Sequence, residues 1–110
     1  MKMRCLILVL LFLAINSAEA QKTYVPDDNF ELALKERGCD DGIELNDSVL
    51  TDKIKVLPYL NVSSKTINDL TGIGDFIGLK TLYCENNRIT NLNLAGAIAL
   101  EELHCRNNQM

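Results

Sequence analysis

Three stretches in the second half of the chain place apolar residues at the same offsets. LPYLNVSSKTI (57–67), LKTLYCENNRI (79–89) and LEELHCRNNQM (100–110) each carry them at the first, fourth, sixth and eleventh positions. The shared frame is L-x-x-L-x-C-x-x-N-x-φ, with φ apolar. In the first stretch Val62 replaces the cysteine and Lys65 the asparagine. Inside each frame the alternation has period two. It predicts a short strand with Leu60 and Val62, Leu82 and Cys84, or Leu103 and Cys105 on its inward side. Between frames the spacing changes: Leu70, Ile73 and Phe76 lie three apart, which predicts a short helical or 3₁₀ turn. Leu92, Leu94, Ala97 and Leu100 do the same job in the next unit with smaller residues.

The first half follows another rhythm. VPDDNFELALKERG (25–38) predicts a helix. Pro26 suits its opening turn, and Asp27 and Asp28 can cap it. Phe30 and Leu34, with Ala33 and Leu32, form its apolar face. Lys35 and Arg37 fall in the last turn, and Gly38 can take the left-handed exit. CDDGIELNDS (39–48) then reads as an acidic, solvated loop, and VLTDKIKVL (49–57) as a second short helix or a turn leading into the first strand. Asp40, Asp41, Glu44, Asp47 and Asp52 suggest calcium, but their spacing does not fit the D-x-[DN]-x-[DN]-G loop.

The frames start 22 and 21 residues apart. One strand with its return loop cannot hide its apolar side; stacked copies can, as a parallel sheet with strands about 4.8 Å apart. Asn87 and Asn108 stand where the chain leaves the strand. There a carboxamide can bond exposed backbone groups, including those of the neighbouring unit. Asn86 and Asn107 are expected to face solvent. Period and pattern together are the signature of a leucine-rich repeat. With the leading helix and INDLTGIGDFIGLKTL (67–82), they resemble the exported bacterial leucine-rich repeat proteins of internalin-like type whose units carry cysteine. The resemblance implies an α/β leucine-rich repeat solenoid with a short parallel sheet and an N-terminal α-helical cap. It divides the chain into a signal peptide (1–20), a cap and linker (21–56), and repeats at 57–78, 79–99 and, in part, 100–110. Lys65 departs from the pattern and marks the first unit as atypical.

Composition narrows the function. Lys2, Arg4, the apolar run 5–15 and the small residues Ala18 and Ala20 form an export signal, with Gln21 as the first mature residue. The run is short for a bilayer, so no membrane insertion is expected after its removal. Removing Lys2, Arg4 and Glu19 from 11 basic and 15 acidic residues leaves 9 and 14, a net charge of −5. No basic cluster exists, which argues against nucleic acid. Cys39, Cys84 and Cys105 remain, an odd number that cannot all pair within one chain. At equivalent inward positions Cys84 and Cys105 are expected to be packed thiols. They fall two ligands short of a zinc site.

No enzyme is expected, and no cofactor or metal. His104 is the only imidazole, set outward between Leu103 and Cys105 with no partner for acid–base work. TGIGDFIG (71–78) has the spacing G-x-G-x-x-x-G, which the repeat explains without a phosphate. Asn46 and Asn61 open glycosylation sequons that arise easily by chance. The informative residues are the outward ones on the strands, in three columns: Tyr59, Thr81, Glu102; Asn61, Tyr83, His104; Ser63, Glu85, Arg106. They form a candidate face for an unidentified protein or glycan, with Tyr59 and Tyr83 as anchors. The expected function is a secreted or cell-surface binding module. The alternative is a structural stalk whose companion activity lies further along a longer protein. Met110 stands where Ile89 does, midway through a unit, so the chain is expected to be the front portion of such a protein.

Overall fold

The structure, a computed structural model, describes residues 20–110; the apolar run read as an export signal lies outside the described residues. The order of elements is β1 (Lys22–Tyr24), α1 (Asp28–Glu36), β2 (Ser48–Leu50), α2 (Thr51–Ile54), β3 (Tyr59–Asn61), a 3₁₀ turn (Ile73–Asp75), β4 (Thr81–Tyr83) and β5 (Glu102–His104). β3, β4 and β5 form a parallel sheet in that order, while β1 and β2 pair antiparallel.

The register of the parallel sheet is the register of the sequence frames. Leu60 lies beside Leu82, and Leu82 beside Leu103. The ladder continues past the strands: Val62 N–H donates to Tyr83 O (2.8 Å) and Ser64 N–H to Glu85 O (2.9 Å). One unit on, Cys84 and Asn86 repeat this to His104 and Arg106, both at 2.9 Å. Leu60, Val62, Leu82 and Cys84 are fully buried, and each aliphatic side chain hidden this way contributes about 1.5–3 kcal/mol.

The turn out of each strand is solved three times in one way. Ser64, Asn86 and Asn107, at equivalent positions, all have φ +57°. Asparagine tolerates this left-handed conformation better than most residues. Asn86 and Asn107 are exposed, as expected, and also joined by an Asn107 Nδ2 to Asn86 Oδ1 bond of 2.8 Å. The next residue works inward. Asn87 Oδ1 accepts from Lys65 N–H (3.0 Å) and Ile67 N–H (3.1 Å). Its Nδ2 donates to the carbonyls of Val62 (2.9 Å), Cys84 (3.1 Å) and Glu85 (3.2 Å). Asn108 repeats the pattern one unit on, bonding Ile89 N–H and the carbonyls of Cys84, Cys105 and Arg106. Each carboxamide therefore ties its own turn to the preceding one.

Lys65 breaks that series, and the leading helix supplies another solution. Asp27 Oδ1 caps α1 at the N–H groups of Asn29 and Phe30, while its Oδ2 accepts from Asn68 N–H (2.8 Å) and Asp69 N–H (3.1 Å). Asn29 Nδ2 donates to Thr66 O, and Arg37 Nη2 reaches Tyr59 O on edge strand β3 at 3.3 Å. Phe30 stacks on Phe76 with centroids 6.2 Å apart. Phe30, Ala33 and Leu34 thus join one buried cluster with Leu60, Ile67, Leu70, Ile73 and Phe76. Gly38, at φ +79°, makes the expected left-handed exit.

Three expectations need correction. Leu32 is 44 % exposed, while Glu31 beside it is buried to 1 %. The loop crossing α1 turns two N–H groups inward, Asn46 and Asp47, and both donate to the Glu31 carboxylate at 2.9 Å. Leu103 is in register with Leu82 but 39 % exposed, and Cys105 is only half-buried. Each rung is covered by the one after it, and no further rung lies beside β5 among the described residues. The segment 49–57 is more than a helix or turn: Ser48–Leu50 first pairs with Lys22–Tyr24, and only then does α2 begin. Thr23 fixes that pair to the repeats. Its hydroxyl meets Thr51 Oγ1 and donates to Asp75 Oδ2, both at 2.7 Å. Gly72 (φ +107°) lies under Tyr24, where a Cβ would come within 2.7 Å of the Tyr24 carbonyl.

Candidate functional site: the outer face of the parallel sheet

Period-two alternation sends Tyr59, Asn61, Thr81, Tyr83, Glu102 and His104 to the side opposite Leu60, Leu82 and Leu103. Register aligns them as Tyr59–Thr81–Glu102 and Asn61–Tyr83–His104. Ser63, Glu85 and Arg106 follow at the strand exits. Tyr59, Asn61, Glu102 and Arg106 are exposed; Ser63, Thr81, Tyr83, Glu85 and His104 are half-buried by one another. All nine predicted residues therefore share one surface.

Their side chains form a continuous ridge, a feature the columns alone did not reveal. Tyr83 and His104 stack face to face, with centroids 4.3 Å apart and planes within 5°. Tyr59 tilts onto Tyr83 from the neighbouring column at 5.5 Å and 52°. The rings are stacked along the direction in which the strands repeat, so they turn edges outward and spend their faces on each other. Polar groups flank the ridge. Glu102 Oε1 lies 3.6 Å from His104 Nε2, a contact that becomes an ion pair only when the imidazole is protonated. That nitrogen is shielded from water and has no hydrogen-bond partner. Thr81 Oγ1 lies 3.5 Å from Glu102 Oε2. Ser63 Oγ accepts from Glu85 N–H at 3.2 Å, and Asn61 Oδ1 accepts from Ser63 N–H at 3.0 Å. Backbone ladder and side-chain bonds together make the face rigid.

The thiols belong to the opposite side. Cys39, Cys84 and Cys105 are all free. Burial pushes the Cys84 pKa up to about 11, with lesser contributions from Cys105 and Glu85. Burial likewise raises Cys39, against the lowering effect of Arg37 and Lys53. Such groups are neutral packing elements at ordinary pH. In the leading segment Asp28, Glu31 and Asp47 bring carboxylate oxygens within 4.8 Å of one another. Both oxygens of Glu31 are already taken by backbone N–H groups. Asp41 is held below the ordinary carboxylate range, chiefly by Asn46, whose Nδ2 donates to it at 2.8 Å. None of the described helices is long and apolar enough to cross a membrane.

No family model matches the chain. It is similar to internalin J of Listeria monocytogenes serotype 4b (strain F2365), with 32 % identity over 72 residues, 66 % of this chain. It spans 8 % of the length of that protein. Among solved structures it matches the functional domain of internalin J from Listeria monocytogenes, described as including a cysteine ladder. The TM-score is 0.67 and the identity 29 %, over 82 % of this chain and 20 % of that one. Both likenesses agree with the parallel sheet and the repeating frame, and the chain is similar to the internalin-like leucine-rich repeat proteins.

Proposed function

We propose that this chain is a non-enzymatic recognition module, exported and displayed at the cell surface or released, that holds a partner protein against the outer face of its sheet. In this reading, residues 1–20 direct export and 21–56 cap the first rung. Residues 57–110 are the coils of a solenoid that present the face. The contacts of Asp27, Asn29, Arg37 and Phe30 with the first unit support the capping role. An uncovered first strand would otherwise present an apolar flank.

The observation that carries the proposal is the Tyr59–Tyr83–His104 ridge. It sets aromatic groups with polar tips on a backbone that is already ordered, so little conformational entropy is lost on contact. Mixed charge beside it, from Glu85, Glu102 and Arg106, suits a polar protein rim. A glycan is the less suitable guest here. Sugars pack their C–H faces on open ring faces, and Tyr83 has given its ring face to His104.

Site-specific photo-crosslinking tests the assignment. A benzophenone side chain at Asn61, on the face, is compared with one at Ile77, exposed on the return side. Both are offered cell-surface protein extracts. A discrete adduct from position 61, lost in Tyr83→Ala/His104→Ala and absent from position 77, is the expected result. Equal labelling from both positions, or adducts indifferent to the double substitution, would favour a passive stalk.

A further inference from the structure

Away from the sheet, the first two units separate. They are bonded at the turn, where Arg88 N–H donates to Ile67 O at 2.8 Å, and meet again before β4 and β5 begin, where Glu101 N–H donates to Lys80 O. Between these points, among the described residues, no backbone hydrogen bond joins 68–75 to 90–97. Gly74 and Gly96 pinch the two return segments together, so closely that a Cβ on Gly96 would collide with the Gly74 carbonyl. The space between turn and pinch is a groove of about 610 Å³, within the range of small-molecule sites, about 300–1,000 Å³.

We propose that this groove binds a neutral saccharide, at a site distinct from the sheet face and independent of the function assigned to it. The lining decides the ligand class. Asn68, Asp69, Thr71, Thr90, Asn91 and Asn93 form its walls, and all six are exposed. The carboxamides of Asn68 and Asn91 and the hydroxyl of Thr90 have no hydrogen-bond partner among the described residues. Asn93 uses only its oxygen, on Ala95 N–H. Asp69 uses only Oδ1, on the N–H and hydroxyl of Thr71. Spare donors and acceptors therefore alternate along both walls, which is the complement of a sugar's hydroxyls, each of them both donor and acceptor.

Other classes fit worse. No Lys or Arg lines the groove, and its only charge is Asp69, so phosphate and sulfate esters lack a cation to meet them. One carboxylate is too few for calcium. The apolar lining residues Leu70 and Ile73 are 2 % exposed, leaving no pocket for the alternate side chains by which an extended peptide is held. No aromatic ring stands in the groove, so affinity rests on hydrogen bonds and is about millimolar.

The test is an NMR titration of the ¹⁵N-labelled chain with maltotriose and chitotriose. An anionic sulfated trisaccharide and a blocked Ala-Thr-Ala peptide serve as comparisons. The expected result is saturable shifts of the Thr71, Asn91 and Asn93 amides with at least one neutral trisaccharide. The shifts should weaken at least tenfold in Asn91→Leu/Thr90→Val, whose solvent-exposed positions leave the fold, read from the rest of the spectrum, intact. Tyr83→Ala should leave the groove shifts unchanged. The proposal is overturned by no shift with either neutral sugar, by equal response to the peptide or the sulfated sugar, or by shifts confined to Tyr83 and His104. Shifts confined to Tyr83 and His104 would also count against the protein reading of the sheet face; the other outcomes leave that reading untouched.

Discussion

Replacing Asn87 by alanine should cost more than removing any aliphatic side chain from the rim of the sheet. The carboxamide makes five hydrogen bonds, and Asn87 is only 7 % exposed. Two of its partners, Lys65 N–H and Glu85 O, belong to residues that water can reach. Cys84 O also accepts from Asn108 Nδ2 and keeps that bond, while the other two, Ile67 N–H and Val62 O, belong to residues with no exposed surface. A buried polar group left unpaired costs about 1–3 kcal/mol, partly relieved when neighbours relax or water enters the gap. Two such groups give about 2–4 kcal/mol for Asn87→Ala. A domain of this size has about 5–13 kcal/mol in total. Asn108 offers the internal control: Cys84 O would keep its bond from Asn87 Nδ2, Cys105 O and Arg106 O belong to residues that water can reach, and only Ile89 N–H is left buried and unpaired. Asn108→Ala should cost about 1–2 kcal/mol. Urea unfolding followed by far-ultraviolet circular dichroism measures both as midpoint shifts at constant slope. If the two substitutions cost the same, or Asn87→Ala costs under 1 kcal/mol, the carboxamide is not what joins successive turns.

Three further outcomes are expected. Gly96→Ala forces its Cβ against the Gly74 carbonyl and should destabilise by about 2–3 kcal/mol through backbone displacement, whereas Gly38→Ala, at φ +79° with open space around it, should cost about 1 kcal/mol in thermal unfolding. Glu31→Ala leaves the Asn46 and Asp47 N–H groups without their acceptor and should cost about 2–4 kcal/mol; faster amide exchange at those two positions, and not at the parallel sheet, is the signature. Cys84 ionises near pH 9 when unfolded but only at about 11 when folded. Its contribution to stability is therefore complete below pH 9 and lost as pH rises from about 9 to 11, by up to about 3 kcal/mol; Cys84→Ala should flatten that limb of the stability profile.

How far the fold could be read in advance depended on whether a residue's environment lay within its own repeat. Leu60, Val62, Leu82 and Cys84 were legible because two periodicities, two within a strand and 21 or 22 between strands, point to the same buried side. The roles of Asn87 and Asn108 followed from the same register, since a turn at a fixed offset always leaves the same backbone groups unpaired. The antiparallel pair of β1 and β2 was not legible. Each strand has three residues, and their pairing spans 26 positions without any periodic signal. Glu31 was missed for a related reason: helical spacing says which face of α1 is apolar, but two inward N–H groups from a distant loop decide that a carboxylate is needed beside it. Leu103 shows the opposite failure. Its sequence environment equals that of Leu82, and only the absence of a covering rung among the described residues separates them.

The same distinction separates the two surfaces. Membership of the sheet face needs only alternation and register, so its columns could be read from the sequence, and register aligns Tyr59, Thr81 and Glu102, and Asn61, Tyr83 and His104. That Tyr83 stacks on His104 and takes Tyr59 from the adjacent column depends on side-chain rotamers, which alternation does not fix. The groove lies one step further from the sequence. Its walls are ordinary loop residues, Asn68 to Thr71 and Thr90 to Asn93, unremarkable by composition. The groove exists because two glycines at equivalent places, Gly74 and Gly96, let the backbones converge while the turn asparagines hold the other end together. Residues chosen for packing thus set the width of a space they do not line with side chains. A substitution at Gly96 should therefore alter saccharide binding and stability together, whereas Asn91→Leu should alter binding alone. Were both to change with Asn91→Leu, the groove's polar walls would be part of the scaffold and not a surface held ready by it.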